Sequence, residues 1–169
     1  MTNAMAPSGY RTRFAGPADS AALIPLINVA FLPEQIAIEG ERISHETLQP
    51  YFVNGKFLAL EDADGLAGCV YAEVRGRRGY IGLLALRTEL KGRGLGRLLM
   101  ERAEEYLARK GCEAVDLRTI SARDDLVPMY KHLGYEPTGT DAMPAGVKLK
   151  MPCHFVVMSK ILNEPRSES

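Results

Sequence analysis

Residues 83–106 read LLALRTELKGRGLGRLLMERAEEY. An apolar run ends in a polar turn, Gly92, Gly94 and Gly96 follow at alternate positions, and a patterned segment begins. Leu95, Leu98, Leu99, Ala103, Tyr106 and Leu107 recur at the spacing that lines one face of an α-helix. Gly111 ends that helix behind Arg109 and Lys110, two cations suited to the negative end of its dipole. Residues 114–120 then alternate as a buried strand. A strand, a helix and a strand in this order close as a right-handed crossover, so residues 80–120 commit the chain to a sheet with a parallel pair.

The flanking chain supplies the rest of the sheet. Residues 10–15 form a short strand, broken by Gly16 and Pro17. Asp19 caps a helix carrying Leu23, Leu26, Ile27 and Ala30, which Pro25 forces to start late or to kink. Residues 31–42 are irregular. Ser44 caps a second short helix that stops near Pro50 or at Asn54-Gly55. Strands at 57–61, 66–74 and 80–86 are joined by the tight turns DADG (62–65) and RGRRG (75–79), hence antiparallel. A short helix at 125–132 closes at Gly134, and strands at 135–140 and 154–161 flank a loop at 141–152. The order β-α-α-β-β-β-α-β-α-β-β predicts an α/β fold: a mixed central sheet of about six to seven strands flanked by helices on both faces.

A length of 169 residues suits one domain over 10–162, with flexible ends at 1–9 and 163–169. The 21 basic residues balance 21 acidic ones, which gives no electrostatic reason to expect nucleic acid or an anionic membrane as partner. RGRRG reads as a solvated hairpin. Cys69, Cys112 and Cys153 form no CxxC, and His45, His132 and His154 lack metal-ligand spacing, so no metal is expected. The N-terminus lacks signal-peptide character and no apolar run approaches a membrane span, so a reduced cytoplasmic setting is expected.

The glycine turn fits no dinucleotide GxGxxG, because Arg97 and Leu99 stand where the third glycine belongs, and no GxxxxGK[ST] occurs. What remains is [QRK]xxGx[GA], spelled by Lys91, Gly92, Arg93, Gly94, Leu95 and Gly96. Glycine lets backbone N–H groups approach a ligand, unpaired N–H groups at a helix start favour an anion, and Lys91, Arg93 and Arg97 add positive charge. With the preceding strand, this stretch resembles motif A of the GCN5-related N-acetyltransferases (GNAT superfamily). A second stretch agrees: Tyr130, Gly134 and Tyr135 match that family's Tyr-x-x-x-Gly-Phe/Tyr. The resemblance covers about residues 11–162 and implies the acyl-CoA N-acyltransferase fold with acetyl-CoA as donor. It implies that residues 91–96 hold the pyrophosphate and that Leu84, Ala85 and Leu86, on a bulged or splayed strand, pair with the pantetheine. Two departures stand out. Leu86-Arg87-Thr88 replaces the usual Val-x-Pro, and Arg123 replaces a frequent Asn, where it could reach a phosphate instead.

The implied reaction is direct attack of a primary amine on the thioester, without a covalent enzyme intermediate. Tyr130 is the candidate general acid toward the departing thiolate; the competing reading is a core tyrosine beside Leu126 and Leu133. Backbone N–H groups around residues 84–86 are the candidate oxyanion donors. Glu73, Tyr80 and His154 are candidate bases, each also readable as a surface or packing residue, and the cysteines read as packing residues. Acceptor selection falls to residues 31–54 and 141–154. There Glu34, Glu39, Glu41 and Glu46 either attract a cationic amine or form a solvated face. The acceptor is a small molecule or peptide. A non-catalytic acyl-CoA-binding module and a protein N-terminal or lysine acetyltransferase stay as alternatives, and edge-strand pairing would make a homodimer.

Overall fold

Residues 7–162 are described in this computed structural model. The crossover unit consists of β4 (Arg78–Leu86), α3 (Leu95–Arg109) and β5 (Ala114–Ile120), with β4 and β5 parallel. On its N-terminal side lie β1 (Arg11–Ala15), α1 (Ser20–Ala30), α2 (His45–Asn54), β2 (Lys56–Asp62) and β3 (Gly65–Arg75). On its C-terminal side lie α4 (Leu126–His132), β6 (Glu136–Asp141) and β7 (Phe155–Ile161). The strands form one sheet in the order β1-β2-β3-β4-β5-β7-β6, and every neighbouring pair except β4 and β5 is antiparallel. The mixed α/β sheet expected from the element order is therefore present, with seven strands among the described residues.

Each sheet face carries its own core. Leu95, Leu98, Leu99, Ala103 and Leu107 of α3 pack on Leu58, Leu60, Val70, Ile81, Val115 and Leu117. Leu23, Leu26 and Ile27 of α1 and Leu48 of α2 pack on the opposite face, against Phe57, Ala59, Cys69, Tyr71, Leu83 and Ala85. Tyr51, Phe57 and Tyr71 meet there as a ring cluster, with Tyr51 edge-on to Tyr71 at 4.7 Å between centroids.

Local chemistry sets the helix ends, with two corrections to the sequence reading. Ser44 caps α2: its hydroxyl accepts from the Thr47 N–H at 3.2 Å. Asp19 does not cap α1 with its side chain. Its carboxylate turns back to the Gly16 N–H at 2.8 Å and to the Arg13 guanidinium at 2.7 Å. Pro25 neither delays nor ends α1, and α2 runs through Pro50 to Asn54. Both prolines are exposed, as are Ala21 and Glu46 four residues earlier, so the carbonyls deprived of a donor face water. The expected frayed ends fall largely outside the described residues. Of them only Pro7, Ser8 and Gly9 are described, in a turn where the Tyr10 N–H donates to the Pro7 carbonyl at 3.0 Å.

Residues 31–42 are less irregular than expected. Leu32–Ile36 is a 3-10 turn, and Ile38 forms an antiparallel bridge with Leu149 in the loop between β6 and β7. The Glu39 N–H donates to the Lys148 carbonyl at 2.9 Å and the Lys150 N–H to the Ala37 carbonyl at 2.7 Å. Two segments more than a hundred residues apart are thereby tied into one strap.

Candidate active site

β4 and β5 pair only at their beginnings, where Arg78, Gly79 and Tyr80 face Ala114, Val115 and Asp116. The Arg78 guanidinium grips Asp116 there at 2.7 and 2.8 Å, and the Ser159 hydroxyl donates to the same carboxylate at 2.5 Å. Beyond that clasp the strands part around a groove of about 1200 Å³, lined by residues 80–86 of one and 117–120 of the other.

A β-bulge shapes the β4 wall. Cys69 opposes Ala85 and Tyr71 opposes Gly82, so Val70 faces both Leu83 and Leu84. Leu83 has φ 53°, a left-handed conformation that costs a branched residue on the order of 1–3 kcal/mol. The Cys69 thiol, which burial pushes up to about 12 and so keeps protonated, donates to the Leu83 carbonyl at 3.5 Å. The extra residue reverses the strand's facing. Ile81 packs on the α3 side while Leu83 and Ala85 pack on the α1 side, and Leu84 and Leu86 turn toward the α3 side. Because the Arg87 N–H donates to Ala67 of β3, strand alternation turns the backbone polar groups of Leu86 and Leu84 toward the gap that β5 has left.

Beyond β4 comes the glycine turn. Gly92 and Gly94 have φ of 82° and 80°, so the turn needs them for conformation. A Cβ at either would meet no atom within 4 Å, so the space before the backbone is open to a ligand. Gly94 is the N-cap of α3 and offers no side-chain acceptor, which leaves first-turn N–H groups available. Lys91, Gly92, Gly94, Gly96 and Arg97 line the groove. Leu95 points into the core at 2 % exposure, so only its backbone can serve a ligand, and exposed Arg93 lies off the lining.

Tyr130 lines the groove from α4, its ring edge-on to Tyr135 at 6.1 Å. Its hydroxyl has no hydrogen-bond partner among the described residues. Burial pushes this phenol up, nearby Tyr80 and Glu34 add to the effect, and Arg123 opposes it. A phenol in that state keeps its proton. Tyr80 enters from β4, and a Cβ on Gly82 would lie 3.0 Å from its ring and 3.1 Å from its hydroxyl. The ring therefore lies along the strand over Gly82, directed toward the bulge. Arg75 stacks on it at 4.2 Å, and Arg118 lies 5.8 Å from the ring centre.

The other expected site residues lie elsewhere. Glu73 is not on the groove lining: it accepts from the Tyr71 hydroxyl at 2.6 Å and from Arg75 at 2.8 Å. Burial pushes its carboxyl up, but these two donors outweigh burial and hold it low, which makes it a weak base. His154 is exposed and off the lining. Arg123 does line the groove, with its Nε and Nη2 donating to Asp125 at 2.9 Å, which leaves its Nη1 donors uncommitted. Among the acidic residues of 31–54, Glu34, Glu39 and Glu41 line the groove and Glu46 does not. Cys69 and Cys112 are buried, and Cys153 is half-buried. Among the described residues no three His, Cys, Asp or Glu side chains gather as a metal site, and no helix is long and apolar enough to cross a membrane.

One groove residue escaped the sequence reading. Thr119 of β5 is 4 % exposed, lines the groove, and its hydroxyl has no partner among the described residues. Its signal was readable: in AVDLRTI, alternation puts Thr119 on the face of Val115 and Leu117. A lone hydroxyl on such a face needs an acceptor or donor from somewhere.

The family model described as the Acetyltransferase (GNAT) family matches residues 27–135, a span that holds the bulged strand, the glycine turn and Tyr130. The chain belongs to this family. Within the GNAT family it is similar to the mycothiol acetyltransferases of Tsukamurella paurometabola and Propionibacterium freudenreichii subsp. shermanii. Identity is 35% over 77% of this chain for the first and 30% over 84% for the second. Those matches cover 49% and 48% of the relatives, so the chain spans about half their length. The GNAT fold itself recurs in the PaiA N-acetyltransferase of Thermoplasma acidophilum, solved in complex with coenzyme A. It has TM-score 0.72 and 17% identity, over 90% of this chain and 99% of that one.

Proposed function

We propose that the protein is an N-acetyltransferase that moves the acetyl group of acetyl-CoA to a primary amine of a small molecule or peptide by direct attack. The observation that carries this reading is the groove between β4 and β5, lined by the open glycine turn and by Tyr130, whose hydroxyl has no partner among the described residues. Family membership, the named activity of the mycothiol relatives and the coenzyme A complex of PaiA support it.

The residues present suit this donor. Backbone N–H groups of Gly94, Leu95 and Gly96, with Lys91 and Arg97, would hold the pyrophosphate. The orphaned Thr119 hydroxyl and the backbone of Leu84 and Leu86 would take the amide groups of the pantetheine arm, while the Ala85 backbone is turned to Cys69 of β3. Acetyl-CoA supplies an activated acyl carbon and a thiolate leaving group. N–H groups beside the bulge would stabilise charge on the carbonyl oxygen as the amine attacks. Tyr130, kept protonated by burial, would donate to the departing sulfur. Tyr71 and Arg75 occupy Glu73, so proton removal falls to a groove-facing group or to water.

Isothermal titration with acetyl-CoA tests the donor assignment, and absence of binding at high micromolar concentration would sink it. A thiol-release assay over an amine panel then separates a transferase from a binding module, since the latter binds acetyl-CoA and releases no thiol.

A further inference from the structure

We infer that Glu34 receives the acceptor: its carboxylate binds the substrate ammonium and takes the proton that the ammonium must lose, so the acceptor is a small cationic amine. This rests on the acetyltransferase reading above and names its acceptor class.

The first ground is a carboxylate in the groove that no described residue occupies. Glu34 sits on the 3-10 turn Leu32–Ile36, lines the groove and is half-buried. Its carboxylate accepts no hydrogen bond from any described residue. Three groups on three separate segments face it: Arg42 beyond the turn, Arg123 behind β5 and Tyr130 on α4. Neither cation closes on it. Arg42 lies over the Phe31 ring at 5.4 Å, and Arg123 is spread on Asp125. The Glu34 oxygens are not sealed off and no donor of the described residues occupies them, so a ligand cation in the groove can pair with the carboxylate directly. The other groove-lining carboxylates differ: Glu39 and Glu41 are exposed, and Asp125 is held by Arg123.

The second ground is position. Glu34 and Tyr130 both line the groove, one on the Leu32–Ile36 turn and the other on α4, so a proton acceptor and a proton donor from different elements share it. Burial pushes the Glu34 carboxyl up, with Arg42 and Arg123 only partly offsetting it, and a raised carboxyl is a better proton acceptor at neutral pH. The third ground is space. Ala37 and Glu39, a few residues beyond Glu34, are fastened to Lys150 and Lys148 by the strap, whose residues Ile38 and Lys148 also line the groove. These bonds fix this part of the lining in place, which favours a small amine over a polypeptide that needs a longer open cleft.

The step balances as follows. Glu34 takes one proton from the ammonium. The freed nitrogen lone pair forms a bond to the acyl carbon, the carbon–sulfur bond breaks, and the sulfur takes the Tyr130 proton. The second nitrogen proton returns to Tyr130 through water and Glu34 releases the first to solvent. Each turnover yields an amide, a thiol and one free proton.

The test uses the full chain, acetyl-CoA and a thiol-release assay with tyramine, putrescine and benzylamine as cations, glycine as a zwitterion, and a lysine-containing peptide. The wild type is expected to acetylate at least one of the three cations in preference to glycine and the peptide. Glu34→Gln should lower kcat/KM for that amine about 100-fold or more, the lower range for a lost acid–base group. It should also abolish the acidic limb of the kcat/KM pH profile, while Glu34→Asp keeps the limb. Calorimetric affinity for acetyl-CoA should stay within twofold in both variants, which confirms folding. The inference is overturned if Glu34→Gln keeps kcat/KM within twofold with the same acidic limb, if the peptide or glycine is preferred, or if none of the cations reacts. A wild type that fails to bind acetyl-CoA removes the acetyltransferase reading, and this inference with it.

Discussion

Replacing Thr119 by Val tests the groove at its most exacting point. The two side chains share shape and β-branching, so strand preference and packing change little. The difference is one buried hydroxyl without a protein partner. Leaving such a group unsatisfied costs about 1–3 kcal/mol. For a chain of this size each kcal/mol moves Tm by about 2–4 °C, so the free variant should melt about 2–12 °C higher. With acetyl-CoA the sign reverses. If the hydroxyl pairs with the donor's amide backbone, Thr119→Val forfeits one hydrogen bond worth about 0.5–1.5 kcal/mol, and Kd rises about 2- to 12-fold. Differential scanning calorimetry on the free protein and isothermal titration with acetyl-CoA read the two effects separately. An unchanged or lower Tm would mean the hydroxyl is already satisfied. A higher Tm with unchanged Kd would mean that it faces no polar group of the ligand.

Tyr130→Phe should lower kcat about 100-fold or more and leave acetyl-CoA affinity nearly unchanged, measured by thiol release and calorimetry; unchanged turnover removes Tyr130 from the chemistry. Gly92→Ala forces a side chain into φ 82°, which should cost about 1–2 kcal/mol in stability and weaken acetyl-CoA at least tenfold, while a loss of stability alone would detach the turn from the ligand. The clasp at the closed end of the groove should show in the pH dependence of folding. Hydrogen bonds from Arg78, opposed by partial burial and aided by Ser159, hold the Asp116 carboxyl below its usual range. A depressed carboxyl stabilises the fold fully above its unfolded value of about 3.9 and loses that contribution as pH falls through its folded value. Asp116→Asn should therefore lower Tm at pH 7, with the deficit shrinking as pH is taken below about 4; a deficit independent of pH would refute the ion-pair account.

The sequence by itself determined what short-range chemistry controls. Alternation at 114–120, the three/four stripe of α3, the Ser44 cap and the need for glycine at 92 and 94 are consequences of residues within one turn or strand. Together with the order of elements they specified the mixed sheet and the family resemblance. Where a nearby partner competed, local rules misled: Asp19 found Arg13 and Gly16, and solvent accepted the prolines in α1 and α2. The tertiary structure alone decided which polar groups share the groove. A one-residue bulge at Leu83 and Leu84 sets which face each β4 side chain takes, and no local signal marks that slip in register. Glu34, Tyr80, Thr119 and Tyr130 come from four different segments and meet only because β4 and β5 part beyond Tyr80. The unsatisfied state of Thr119 and the absence of a partner on Glu34 among the described residues likewise belong to the packed molecule. It is this lack of a protein partner beside the groove, absent from any sequence pattern, that makes them candidates for binding donor and acceptor.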